Sequence, residues 1–269
     1  AALLARTAAV AAGVVSGRRA FPDSCSPGGR CEPARPVPEA AQAARVAPAQ
    51  APPPVSGIAW GDLRRMDPIS AHWGFDRGRP VDRVYIEAFM EHHAADVRGT
   101  VCELLNRDYT VRYGGGRVTR SEIIDIDAGN AAATIVDDLT VGSRLPTGAF
   151  DCFILTQTLS YIYECGAALG HAYRSLKPGG VLLVTVPSII KYHREPEDHW
   201  RFTADSLARL IRERCPGSRA EVGAYGNLVV AIAFLHGLAE QDLEPAEFVR
   251  NDPRYPIVVT ARIQKDAAS

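Results

Sequence analysis

Two stretches of the chain, "FDCFILTQ" (150–157) and "VLLVTVP" (181–187), carry continuous apolar runs at their centres. Successive residues of a strand face opposite sides of its sheet, so an unbroken apolar strand has to be covered on both faces. Between them, roughly from Ser160 to Leu176, the spacing reads as a helix. "KPGG" follows, Lys177 to Gly180, with a lysine in the last turn and glycines after it as a stop signal. Strand, helix and strand in that order call for a largely parallel sheet with helices on both sides, the α/β class.

The same alternation runs through the rest of the chain. Pro80 to Val97 reads as an amphipathic helix with Val81, Val84, Tyr85, Ala88 and Phe89 on one face. A strand then ends at Glu103, "SEIIDID" (121–127) gives a second and "ATIVDD" (133–138) a third. Between Asp127 and Ala133 there is no room for a helix, so that edge of the sheet should be trimmed. "FTADSLARLIRER" is a helix with Thr203 placed to cap its first turn. "AEVGAYG", an apolar helical stretch from Leu228 to Leu238 and "YPIVVTARIQ" complete the chain.

Upstream the text changes. Nine of the 19 prolines fall between residues 20 and 56, where few large apolar residues could offset the entropy of ordering. The expected division is a short helix or fragment over 1–19, a disordered Pro/Ala-rich linker over 20–56, and one domain over 57–269. A formal charge of -1 gives no reason to expect nucleic acid or an anionic membrane as partner. No apolar run approaches the roughly 18–20 residues of a membrane span. The six cysteines form no CxxC pair, and Cys102 and Cys152 fall inside strand-like runs as buried thiols would. The expected setting is reducing and cytoplasmic.

In such folds ligands bind outside the carboxyl ends of the strands, at the switch point beside the first one. Acids stand there in series: Glu103, Asp125 or Asp127, Asp138, and Asp151 just before the fourth strand. Asp125 lies about twenty residues past Glu103, the spacing at which a carboxylate receives ribose hydroxyls. A diol offers two donors and a carboxylate two acceptor oxygens to match. Asp138 is placed to accept from an adenine amino group.

With these residues the chain resembles the class I S-adenosylmethionine-dependent methyltransferases, in particular the compact group called methyltransferase type 11. The resemblance spans about Pro68 to Lys265. It rests on "VCELL", "IDID", "IVDDL", "FDCFILTQTLSYIYE" and "LKPGGVLLVTVP" in this order, with "DHWRFTADSL" similar to the segment after the fifth strand. It implies a three-layer Rossmann-like sandwich, mostly parallel with a C-terminal antiparallel strand, and S-adenosylmethionine as cofactor. Glu103 would close the first strand, Asp127 or Asp125 would hold the ribose, Asp138 and Leu139 would border adenine, and Thr156 and Gln157 would face the methionine part. Tyr85 and Glu87 would help to cover the cofactor. The family's first-motif glycines match Leu105, Arg107 and Tyr109 here, so Leu105 stands where backbone approaches the ligand. The segment "PISAHWGFDRGRPVDRVYIEAF" is similar to bacterial members sometimes joined to glycosyltransferases, which implies a small-molecule acceptor such as a sugar and a glycosyltransferase associate. A second expectation is a non-catalytic domain that has lost the cofactor and serves as an interaction module.

Methyl transfer requires in-line approach in a site that excludes water, and an oxygen acceptor needs a general base. "KYHREPEDHWRF" offers His193 and His199 for that role, with Arg201 and Trp200 as substrate contacts. Nothing in their spacing enforces a metal geometry, so no metal is expected. Ser160, Tyr173 and Lys177 are spaced like the triad of short-chain dehydrogenases. That reading fails because Pro-Gly-Gly follows the lysine at once and no glycine-rich loop follows the first strand.

Overall fold

The structure, a computed structural model, describes residues 61–267. The expectations for 1–19 and 20–56 lie outside the described residues. Strand β4 (Phe150–Thr156) explains its own sequence. Cys152 and Ile154 point into one apolar layer with Val101, Val181 and Leu183. Phe153 and Leu155 point into the other, with Leu169, Leu182 and Val184. Both faces are therefore covered, and no polar residue has a place in the middle of the strand.

Seven strands form one sheet in the order β3-β2-β1-β4-β5-β7-β6. Strands β1 (Gly99–Leu104), β2 (Val118–Asp125), β3 (Ile135–Val136), β4 and β5 (Leu176–Pro187) are parallel. β7 (Val258–Lys265) runs antiparallel to β5 and to β6 (Ser218–Tyr225). The chain winds outward from β1 to β3 and returns to place β4 on the other side of β1. The switch point therefore lies between β1 and β4.

Helix α1 (Val81–His92) covers one face with Phe89 and Met90. It also packs Val81, Tyr85 and Ile86 against Val230 and Phe234 of helix α4 (Leu228–Leu235). The opposite face carries helix α2 (Cys165–Arg174) through Leu169 and Tyr173, and helix α3 (Ala204–Arg214) through Leu207 and Ile211. A short helix α5 (Pro245–Val249) precedes β7. The α3 cap is as expected: Thr203 Oγ1 accepts from the Ser206 amide at 3.1 Å, and Ser206 Oγ accepts from the Thr203 amide at 3.0 Å. No described helix is long and apolar enough to cross a membrane.

Some elements differ from expectation. The helix expected from Ser160 is a 3-10 turn at Leu159–Tyr161 followed by α2 from Cys165. "KPGG" belongs to β5, where the register shifts between the Phe150–Leu176 and Cys152–Val181 pairs. The extra residues form a bulge, fixed by Lys177 on Asp151 at 2.6 Å. A Cβ at Gly180 would lie 2.9 Å from the Phe150 carbonyl, so the bulge has no room for a side chain there. Asp151 thus works at the amino end of the sheet, far from any strand-end site; it also accepts from the Thr100 amide at 2.8 Å. β3 has only two residues, and turns replace a helix between β2 and β3, so that edge is trimmed.

Candidate functional site

Where β1, β2 and β3 end, they open onto a cavity of about 420 Å³. The ends of β1 and β2 contribute Leu104, Leu105, Ile124, Asp125 and Ile126, the segment after β3 contributes Asp137, Asp138 and Leu139, and Tyr161, Ile162 and His199 complete the lining.

Leu105 leaves β1 with φ 68, the left-handed region that favours glycine. Its amide still donates to the Ile124 carbonyl at 3.0 Å, so the sheet holds it in that conformation. Of the three positions where the resemblance calls for glycine, this alone has positive φ; Tyr109 is right-handed at φ -70. Glu103 does not line the cavity. Its buried carboxylate accepts from the Tyr109 amide at 3.1 Å, the Thr110 amide at 2.8 Å and the Thr110 hydroxyl at 2.7 Å. Burial pushes its pKa up to about 7 against the pull of these bonds. These bonds tie the end of β1 to the loop that follows it.

Asp125 and Asp127 separate clearly. Asp127 is not in the cavity wall and accepts from the Gly129 amide at 2.8 Å. Asp125 is 5% exposed and lines the cavity. One of its oxygens accepts from the Asp127 amide at 3.0 Å and the other from Asn130 Nδ2 at 2.7 Å. A carboxylate has about four acceptor positions, so two remain. Asn130 also donates to the Leu105 carbonyl at 2.8 Å, tying the loop after β1 to the loop after β2. Nothing apolar or periodic marks it; the only signal was the turn "DAGN". Asp138 bonds Thr140 through one oxygen, to its amide at 2.8 Å and its hydroxyl at 2.7 Å. Its neighbour Asp137 holds the loop through the Arg144 amide at 2.7 Å and the Leu145 amide at 3.1 Å.

Thr156 is not in the cavity wall; Thr158 is. Gln157 lines a second, smaller space of about 20 Å³ with Trp73, Phe75, Asp82, Arg83 and Tyr161, and Tyr161 borders both. Trp73 and Gln157 have φ 56 and 50. With Leu105 they are all the described non-glycine residues with positive φ, and each lines one of the two spaces. Such strain persists only where surrounding structure enforces it, and it clusters at functional sites.

His199 stands at the rim of the larger cavity, 3.7 Å from Glu197, with its ring edge-on to Tyr163. His193 lies with its ring 5.4 Å from Trp73 and 6.3 Å from Tyr161. Its Nδ1 is buried without a hydrogen-bond partner. Burial, then the Lys191 ammonium, lower its pKa, which keeps the ring neutral. Arg201 and Trp200 do not line the cavity. Arg201 binds Asp198 with its Nη2 at 2.7 Å and the Ile190 carbonyl at 3.2 Å. The Trp200 indole N–H donates to the Ile162 and Tyr163 carbonyls, both at 3.1 Å. Both brace the loop that carries the histidines. Tyr85 is in the core, and Glu87 pairs with Arg79 at 3.1 Å and Arg112 at 2.9 Å, so neither reaches the cavity. The dehydrogenase-like spacing also dissolves, since the Tyr173 hydroxyl donates to the Pro216 carbonyl at 2.7 Å while Lys177 binds Asp151. Tyr161, Ile162, Pro196 and Glu197 were not legible as site residues, because loops bring them there without any periodic signal.

No family model matches the chain, and no curated protein matches it. Solved structures do. An S-adenosylmethionine-dependent methyltransferase from Archaeoglobus fulgidus is 10% identical at a TM-score of 0.46, covering 68% of this chain and 94% of its own. The N-methyltransferase NodS from Bradyrhizobium japonicum, solved with S-adenosyl-L-homocysteine, is 12% identical at 0.45, covering 76% and 94%. The [4+2]-cyclase SpnF is 15% identical at 0.45, covering 66% and 81%.

Proposed function

We propose that this chain is a class I S-adenosylmethionine-dependent methyltransferase acting on a small hydroxylated acceptor, a sugar being one such molecule. The observation that carries the reading is the cavity of about 420 Å³ at the switch point with the buried Asp125 carboxylate in its floor. The volume falls within the range of about 300–1,000 Å³ usual for small-molecule and cofactor sites. The residues fit a nucleoside. Asp125 has two acceptor positions left for a ribose diol, and the second oxygen of Asp138 has no partner among the described residues. Leu105, Ile126, Leu139 and Ile162 provide apolar walls for a flat ring. When bound, the cofactor would supply an electrophilic methyl group on a sulfonium. Tyr161 and the loop that includes Pro196 and His199 would exclude water. His199, in the wall of the cavity, is the proposed acceptor of the hydroxyl proton.

The filled positions Leu105, Arg107 and Tyr109 favour a second reading, a non-catalytic domain without cofactor. Calorimetry with S-adenosyl-L-homocysteine separates the two. Binding to the wild type is expected, weakened by about 1–2 kcal/mol in Asp125→Ala and little changed in Asp127→Ala. No heat at millimolar ligand would contradict the enzyme reading, and equal losses in both variants would contradict the role of Asp125.

A further inference from the structure

The sheet ends in two unlike edges. β3 has two residues, whereas β6 has eight, paired to β7 without a break in register. An outer strand presents unpaired amides and carbonyls, and folds blunt it with proline, lysine, a bulge or a covering element. β6 contains neither proline nor lysine. Arg219, Ala220 and Glu221 are exposed, so the first half of this edge stands open among the described residues.

The ladder decides which residues turn their backbone outward. The Asp266 amide donates to the Gly217 carbonyl at 2.9 Å and the Ile257 amide to the Tyr225 carbonyl at 2.8 Å, so the odd-numbered residues face β7. Along an antiparallel strand each residue directs its N–H and C=O to one side, and successive residues alternate. Ser218, Ala220, Val222 and Ala224 therefore face outward. Ala224 is already engaged, since its carbonyl accepts from Asn251 Nδ2 at 3.0 Å. The open run is Ser218 to Val222. A second copy pairing antiparallel with this run about a two-fold axis through Ala220 uses all of it, and sets Arg219 opposite Glu221 of the second copy in both directions. An axis through residue 219 or 221 instead sets arginine against arginine or glutamate against glutamate. Opposite charges across a strand pair stabilise and like charges destabilise, so the order Arg-Ala-Glu selects the axis at Ala220. The two side chains are 88% and 73% exposed, and their contacts within the chain, to Asp266 and Arg262, are both 3.7 Å. Such exposed pairs are weak and cost little to exchange.

We propose that this chain forms a dimer by antiparallel pairing of β6 with β6 of a second copy, Ala220 against Ala220 and Arg219 against Glu221. The two sheets then continue as one. β6 is the edge opposite β3, so the pairing does not cover the ends of β1, β2 and β3 where the cavity opens.

Sedimentation equilibrium of the full chain tests it. The wild type should dimerise with a dissociation constant on the order of 10 μM, as suits a small interface. Arg219→Glu and Glu221→Arg each turn two attractive pairs into two repulsive ones and should each weaken self-association at least about tenfold. Mixed in equal amounts, these two variants again oppose unlike charges and should form a heterodimer about as tight as the wild-type dimer. That recovery also shows that both variants are folded. Ala220→Pro removes the outward N–H at the axis, which an edge strand tolerates within its own sheet, and should leave a monomer. A wild type that stays monomeric at about 1 mM would overturn the proposal. A dimer that survives Ala220→Pro, or charge variants that fail to associate on mixing, would overturn it as well.

Discussion

Leu105 keeps glycine's backbone conformation without being glycine. A left-handed conformation costs an ordinary residue about 1–2 kcal/mol. Glycine in the same place is free of that cost but loses about 0.5–1 kcal/mol more in chain entropy on folding. Leu105→Gly should therefore be more stable than Leu105→Ala by about 1 kcal/mol in denaturant melts, the reverse of their order in a helix or strand. An alanine variant equal to or better than glycine would show that the site bears no strain. Glu103 makes a second prediction. Its usual value of 4.5 is raised to about 7 by burial. Between those values the unfolded chain has lost a proton that the folded protein keeps, so stability falls as pH rises through this window, by up to about 1.4 kcal/mol per unit. His93 works the other way. Burial and His92 lower it from 6.5 to about 4, so stability falls as pH drops from 6.5 toward 4. The two slopes oppose each other where they overlap. Glu103→Gln should remove the loss toward pH 7 and unmask a steeper acid-side loss below pH 6.5, as read by urea midpoints from pH 4 to 8; an unchanged slope near pH 6–7 would contradict the assignment. The sequence marked both Leu105 and Glu103 by position. It did not reveal that one adopts a left-handed backbone and the other caps a turn, since both depend on neighbours several residues or more away.

Elements with a strong period were legible. β4 and β5 were readable because burial on both faces makes their central runs apolar, and α3 because Thr203 stands where a cap is needed. "KPGG" was not, because glycine after lysine reads as a helix stop wherever local sequence alone decides. Here Leu176 already pairs with Phe150, and tertiary pairing extends the strand back across the glycines. Gly180→Ala should cost about 1–3 kcal/mol, since its Cβ would meet the Phe150 and Lys177 carbonyls at 2.9 Å and neither backbone can yield easily. A neutral Gly180→Ala variant in thermal unfolding would mean the bulge relaxes. The site's remaining parts escaped notice for the same reason in reverse. Asn130, Tyr161 and Glu197 sit in turns and loops, where only the folded sheet brings them to one place.

At the scale of the molecule, the sheet order places a crevice at the strand ends before any side chain is considered. The reversal between β1 and β4 leaves a crevice at the strand ends. The acids nearest it differ in what they bind. Glu103 spends its carboxylate on the Tyr109 and Thr110 amides outside the cavity wall, whereas Asp125, Asp137 and Asp138 all line the cavity, and Asp125 and Asp138 keep acceptor positions open there. The alternation of strands and helices made the three layers legible, and the acid series made the edge legible. Which acid faces the cavity was not, because Asp125 and Asp127 differ only by a turn. The most direct measurement is a crystal structure of the protein with S-adenosyl-L-homocysteine. It should show the ribose hydroxyls on the Asp125 carboxylate and the adenine between Leu139 and Ile162. A ligand bound elsewhere, or an empty cavity at saturating concentration, would contradict it.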